Sequence, residues 1–206
     1  MATRNPGKLR EFRRLLGALG APIFSLDEAG VTITVDETGQ TYEENATAKA
    51  VAYARACAQI TVSDDSGIEV DALRGEPGVM SAVFTGPGQT DVQRTAHLLH
   101  RLRAVPRGRR AARYRAVLAI AVPGEAPAAV GQMAHVPEAV TIFNGTCEGA
   151  ITETPRGSNG FGYDPVFLVP ELGRTMAELT DSEKDRVSHR GRAARAALPY
   201  LKSLVG

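Results

Sequence analysis

The run Ile60-Thr61-Val62-Ser63-Asp64-Asp65-Ser66-Gly67-Ile68-Glu69-Val70 sets two short apolar segments on either side of a pair of carboxylates. Ile60 to Ser63 reads as a short buried strand, and Ile68 to Leu73 as another extended run. Ser63 to Gly67 lies between them, and its ordinary reading is an acidic β-turn with Gly67, because Asp and Ser suit turns. Two adjacent carboxylates directly after a buried strand are costly unless something neutralises them. A hard cation does so through oxygen ligands. One carboxylate can also orient or deprotonate a water. That functional reading outweighs a plain acidic β-turn.

Outward from this run, strand and helix patterns alternate, which predicts an α/β protein. Asn5 caps a first helix with Pro6 at its first position, and Leu9, Phe12, Leu15, Leu16 and Leu19 form its apolar stripe up to Gly20. Val31 to Val35 reads as a strand. Capping boxes at Thr41–Glu44, Thr90–Gln93 and Thr180–Glu183 open three more helices, the first two ending near Ala58 and Arg103. Tyr114 to Val122, Ala139 to Phe143, Thr146 to Thr152 and Pro165 to Val169 read as strands, and Gly191 to Leu204 as an amphipathic helix. Pro123 to Pro137 carries no clear pattern.

The chain has 206 residues, 43% hydrophobic and 23% charged, with a net charge of +1. It suits a single domain over residues 1–206 with a sizeable core. A near-neutral chain offers no broad field for nucleic acid or an anionic membrane. The arginine-rich run from Arg101 to Arg115 lacks interleaved aromatics and reads as a solvated loop. Cys57 and Cys147 are far apart, as expected of reduced thiols in a cytoplasmic protein. Met1 to Lys8 has no signal-peptide apolar run, and no stretch is long and apolar enough to span a bilayer.

Four clusters carry candidate chemistry. Thr3-Arg4-Asn5-Pro6-Gly7-Lys8 sits at a helix N-terminus, where unpaired amides and the helix dipole favour an anion and Lys8 adds a charge. Asp36-Glu37 precedes a helix on which Asn45 and Lys49 share one face, so Glu37 can hold a cation while Lys49 faces phosphate. Asp64-Asp65-Ser66 is the third. The fourth joins Gly160-Phe161-Gly162-Tyr163-Asp164-Pro165 to Lys184 and Ser188-His189-Arg190-Gly191. Phe161 between glycines suits stacking on a flat base, and Asp164, Lys184, His189 and Arg190 suit reading a base edge. Taken singly, each has an ordinary reading: a capped helix, a solvated helix face, a core aromatic, a surface charge. His97 and His100 have no acidic partner at metal spacing and receive no role.

Taken in order, these clusters resemble the inosine triphosphate pyrophosphatase family. The matching stretches include Ala2 to Glu11, Tyr42 to Ala46 with Lys49, Ser63 to Gly67, Gly75 to Gly78, Gly149 to Ile151, Gly160 to Phe167, Ala177 to Leu179 and Ser188 to Gly191. One departure is that only Met1 and Ala2 precede Thr3, where the family enters this loop from a longer strand. The resemblance implies a long twisted mixed sheet with flanking helices, two lobes around a central cleft, and a homodimer. It implies hydrolysis of non-standard purine triphosphates to monophosphate and pyrophosphate, with no nucleic-acid or membrane partner. Mg²⁺ is assigned to Glu37 and Asp65, with Asp64 as an outer ligand, and Asp65 also activates water. Thr3, Arg4, Asn5, Pro6, Gly7, Lys8 and Ser66 hold phosphates, and Phe161, Gly162, Tyr163, Asp164, Lys184, His189 and Arg190 form the base pocket. The competing classes are a nucleotide sensor without turnover, which gains little from carboxylates beside a triphosphate, and an RNA-binding module, which the charge disfavours.

Overall fold

The computed structural model describes residues 1–86, 88–124 and 139–206. Most of the unpatterned segment Pro123 to Pro137 therefore lies outside the described residues. Asn5 caps α1 (Pro6–Leu15), its side chain accepting from the amides of Gly7 and Lys8. The apolar stripe continues through a short 3₁₀ turn to Gly20, which is left-handed at φ 75°. The Thr41–Glu44 box opens α2 (Tyr42–Cys57), and the Thr90–Gln93 box opens α3 (Asp91–Arg101). The Thr180–Glu183 box opens α4 (Asp181–Val187). Ser188 then caps α5 (His189–Val205), which starts two residues before the expected Gly191.

The strands β1 (Thr61–Val70), β2 (Ala111–Val122), β3 (Ala139–Ile151), β4 (Phe167–Val169) and β5 (Arg174–Thr175) form one sheet in chain order. All four pairings are antiparallel. Among the described residues the one parallel pairing is a bridge from Ala2 to Ser63, which supports the loop at Thr3. Helices flank this sheet, as the α/β reading requires.

Three local expectations are corrected. The two extended runs expected at Ile60 to Ser63 and Ile68 to Leu73 are one: β1 runs straight through Ser63 to Gly67, with Asp64 opposite Leu118 and Asp65 opposite Val117. Partners distant in sequence, Lys8 and Arg190 for Asp64 and in part Lys49 for Asp65, offset the carboxylates without a break in the strand. The expected strand at Val31 to Val35 is absent. The carbonyls of Val31 and Ile33 accept from the Arg4 guanidinium, at 3.1 and 3.0 Å, in place of a neighbouring strand. The two expected strands after Ala139 are one, continuous through Asn144 and Gly145.

Strand periodicity positions the site. Successive side chains of a strand point to opposite faces. Val62, Leu118 and Ile120 pack with Phe12 of α1 and Ala193, Ala194 and Ala197 of α5. Val117, Ala119 and Ala121 face the other way, onto Tyr42, Ala46, Ala50 and Ala54 of α2. Asp64 therefore belongs to the α1/α5 face and Asp65 to the α2 face. β1 is the edge strand, and its outer groups are met piecemeal. Val62 O accepts from Ala2 N, Asp64 O from Lys49 Nζ, and Ile68 N donates to Ser81 Oγ.

Gly67 lies within this strand because the backbone of Gly78 closes on it, not because a turn requires it. A Cβ there would stand 2.3 Å from Gly78 O and 2.5 Å from Ser81 Oγ. Gly67→Ala is expected to destabilise the fold by about 1–3 kcal/mol through overpacking, read as a lower urea midpoint. An unchanged midpoint would contradict this close approach.

Candidate functional site

A cavity of about 410 Å³ opens over the edge of β1. Of the sequence-predicted residues, Thr3, Arg4, Asn5, Lys8, Glu37, Asp65, Ser66, Phe161, Gly162, Tyr163, Asp164, His189 and Arg190 line it. Pro6, Gly7 and Lys184 do not, although Gly7 and Lys184 lie against Phe161.

On the α1/α5 face a buried chain of alternating charges runs beneath the cavity. Asp164 Oδ2 meets Lys184 Nζ at 2.6 Å, and Lys184 meets Glu11 at 2.5 Å. Glu11 meets Arg190 at 3.1 Å, Arg190 meets Asp64 at 3.4 Å, and Asp64 meets Lys8 at 2.7 Å. Burial opposes charge on Asp64, but Lys8 and Arg190 outweigh it and hold its carboxyl well below the usual range. Burial likewise opposes charge on Glu11, and Arg190 and Lys184 reverse that effect. The Arg190 Nη2 also donates to Ser66 Oγ at 2.8 Å. All three Arg190 nitrogens thus have protein partners, which differs from the expected free base-reading arginine. Asp64 also lines the cavity: Lys8, Arg190 and Ser66 converge on its Oδ2, while its buried Oδ1 has no hydrogen-bond partner among the described residues.

On the α2 face, Lys49 Nζ lies 3.0 Å from Glu37 and 3.7 Å from Asp65. Asn45 donates to Asp65 Oδ2 at 3.1 Å and accepts from Gly39 N at 2.8 Å, tying the Glu37 segment to β1. Burial pushes the Asp65 carboxyl up to about 6, with Lys49 opposing and Glu37 adding to the rise. The pair therefore carries more negative charge than its one ammonium offsets. Two oxygen-donor carboxylates in such surroundings suit a hard cation such as Mg²⁺, which takes one or two carboxylates and completes its shell elsewhere. Among the described residues no larger cluster of metal-ligating side chains occurs.

The N-terminal loop is satisfied internally. Asn5 Oδ1 accepts from Gly7 and Lys8, and Thr3 Oγ1 accepts from Asn5 N at 3.1 Å. Arg4 is turned onto the carbonyls of Val31 and Ile33, toward the segment that leads to Glu37. The Gly160–Asp164 loop is anchored by Asp164, whose Oδ2 accepts from Phe161 N and whose Oδ1 accepts from Tyr114. Gly162 N donates to Asp91 of α3 at 2.7 Å, and Tyr163 OH to Ser81 O at 2.9 Å. The ring of Phe161 lies about 5 Å from both Lys184 Nζ and the Arg190 guanidinium carbon. A Cβ on Gly7 would stand 2.6 Å from this ring, so Gly7 lets the phenyl seat on α1. Burial, with the Arg190 charge, pushes the His189 imidazole well below its ordinary pKa.

Sequence reasoning gave Glu11, Tyr114 and Asp91 no role. The only local signal for Glu11 is its position three residues after Lys8 on one helix face. Tyr114 and Asp91 read as a strand residue and a first-turn helix acid. Arg110, assigned to a solvated loop, is buried and donates to the carbonyls of Leu102, Val105 and Thr152.

A profile of the Ham1 family matches residues 1–200. The chain belongs to the Ham1 family. A relative from Bacillus licheniformis, named a dITP/XTP pyrophosphatase, is 45% identical over 195 residues, covering 95% of this chain and 93% of the relative. The Bacillus subtilis protein of the same name is 42% identical, covering 98% and 96%. Among solved structures, a Ham1 protein from Coxiella burnetii superposes with a TM-score of 0.82 at 36% identity, covering 98% of this chain and 96% of that one. The Staphylococcus aureus Ham1 protein gives 0.79 at 34% identity, covering 98% and 97%.

In this Ham1-family chain Glu11 is the carboxylate that keeps Lys184 and Arg190 paired. Glu11→Ala is expected to cost about 3–5 kcal/mol at neutral pH, because two buried cations lose a partner. The Glu11 pKa is lower folded than unfolded, so its contribution is complete above ~4.3 and is lost as pH falls through the folded value. The gap in urea midpoint between wild type and variant should therefore narrow in acid. A gap independent of pH would contradict the ion-pair role.

Proposed function

We propose that the chain hydrolyses non-standard purine nucleoside triphosphates, such as dITP, XTP and ITP, to the monophosphate and pyrophosphate. One observation carries this reading. One cavity is lined by the carboxylates Glu37 and Asp65, by Lys8 and Ser66, and by the aromatic Phe161 with His189. A cation site, a phosphate site and a base site thus share one space, and the names of the relatives from two Bacillus species support the same chemistry.

Glu37 and Asp65 would hold Mg²⁺. When bound, the ion would neutralise charge on the triphosphate and polarise its oxygens. Asp65 orients the attacking water toward the α-phosphorus and accepts its proton. Lys8 is drawn from Asp64 toward phosphate, and Thr3, Asn5 and Ser66 line the path of the triphosphate, with Pro6 and Gly7 opening the helix behind them. Arg4 supports this path from behind by holding the Val31–Ile33 backbone. Phe161 is the platform on which the base stacks, with Gly162, Tyr163 and Asp164 shaping the wall around it. A donor from His189 pairs with the oxygen at carbon six of hypoxanthine or xanthine and opposes the amino group of adenine, while Lys184, expected to read the base, is held between Asp164 and Glu11 and supports Phe161 together with Arg190. A buried donor left unpaired gives large discrimination. The protein acts in the cytoplasm as a homodimer, a reading supported by the family resemblance and by exposed Met80, Val83 and Val92. No described helix is long and apolar enough to cross a membrane.

The test is turnover of dITP, XTP and ATP with Mg²⁺. The expected products are monophosphate and pyrophosphate in equal amounts, with the first two substrates preferred and activity lost on chelation. Release of orthophosphate and diphosphate as primary products would overturn the reading. Phe161→Ala should lower kcat/KM for all purine triphosphates by a similar factor, about 5- to 150-fold, since stacking ignores the base edge. A loss confined to dITP and XTP would contradict the platform role.

A further inference from the structure

We propose that Tyr114 is a positioning residue of the base pocket, fixing Asp164 by a hydrogen bond and His189 by ring stacking. This rests on the function proposed above. Tyr114 lies on β2, which pairs with β1 on one side and β3 on the other, and it is buried. Its hydroxyl donates to Asp164 Oδ1 at 3.2 Å. Its ring lies 4.5 Å from that of His189, with 8° between the planes. Two segments far apart in sequence, the Gly160–Asp164 loop and the start of α5, are thus referenced to one side chain on an interior strand.

Both segments need such a reference. Gly160 and Gly162 have φ of 80° and 65°, so the loop around Phe161 is built on permissive backbone. Asp164 is its anchor: Oδ2 accepts from Phe161 N at 3.0 Å and from Lys184 Nζ at 2.6 Å. With Tyr114 on Oδ1, the carboxylate has donors on both oxygens and a fixed plane. The stack treats His189 differently. It sets the imidazole plane without using either ring nitrogen, and the buried His189 Nδ1 has no partner among the described residues. A neutral imidazole presents one donor and one acceptor in its own plane. The ring that fixes this plane also fixes the direction in which His189 meets a base edge. Tyr114 therefore acts through Phe161 and His189, and it sets how selectively the pocket grips a purine.

The test compares wild type, Tyr114→Phe and Tyr114→Leu by kinetics with dITP and ATP, by amide hydrogen exchange, and by NMR of the His189 ring. Tyr114→Phe loses the hydroxyl and keeps the stack. It should raise KM for dITP by roughly tenfold, leave kcat nearly unchanged, lower the dITP-to-ATP ratio of kcat/KM and speed exchange at the Phe161 amide. Its His189 resonances should stay in place. Tyr114→Leu loses both contacts. It should lower the ratio further and move the His189 ring protons downfield as the ring current disappears. A Leu variant with unmoved His189 resonances, or variants that scale dITP and ATP equally, would overturn the proposal. If wild type released pyrophosphate from neither triphosphate, the proposed function would fall. The exchange and resonance readouts in the free protein would still decide whether Tyr114 positions the loop and His189.

Discussion

The buried chain Asp164–Lys184–Glu11–Arg190–Asp64–Lys8 ties together five parts of the molecule: the Gly160–Asp164 loop, α4, α1, α5 and β1. Three anions alternate with three cations, so the chain is neutral as a whole although each member is costly to bury alone. Its alternation means that removing any member takes a buried opposite charge from its neighbours. It also sets the cavity floor, because Phe161 rests on Lys184 and Arg190, while Ser66 is held by Arg190 and Asp64.

Against this neutral floor, the α2 face is electrostatically incomplete. Asp65 and Glu37 share the single ammonium of Lys49, and burial leaves Asp65 with a raised pKa. Adjacent carboxylates of one strand thus have opposite surroundings because a strand alternates its side chains. Asp64 is ion-paired through its Oδ2 to Lys8 and Arg190 and holds the fold. Asp65 retains unmet negative charge and faces the part of the cavity suited to a cation. The cavity opens where these two faces meet, at the edge of β1.

How much of this was legible in the sequence follows from the range of each interaction. The helix starts at Asn5, Thr41, Thr90 and Thr180 were readable because a cap and its partner lie within three residues. The strand through Asp64 and Asp65 reads as two separate runs in the sequence because the cations that offset its carboxylates come from residues 8, 49 and 190. The strand expected at Val31 was lost to a side chain, Arg4, that satisfies its carbonyls in place of a neighbour. The site clusters were gathered by their ordered resemblance to a family, and most of them line one cavity. Local spacing did not reveal how they divide their work. Arg190 and Asp164 looked free to meet a ligand but are held by protein partners, while Glu11 and Tyr114, which hold them, looked like ordinary helix and strand residues.

The division of labour within one strand is tested most directly by making Asp64→Asn and Asp65→Asn side by side. Unfolding midpoint and Mg²⁺-dependent pyrophosphate release from dITP would be measured for both. Asp64→Asn leaves Lys8 and Arg190 short of a buried anion and should lower stability by about 3–5 kcal/mol. Asp65→Asn removes a carboxyl that burial already disfavours. It should keep the midpoint near wild type while turnover falls by about 10²–10⁴. Equal losses of stability in the two variants, or an Asp65→Asn protein with near-full turnover, would contradict the assignment of structure to one carboxylate and chemistry to the other.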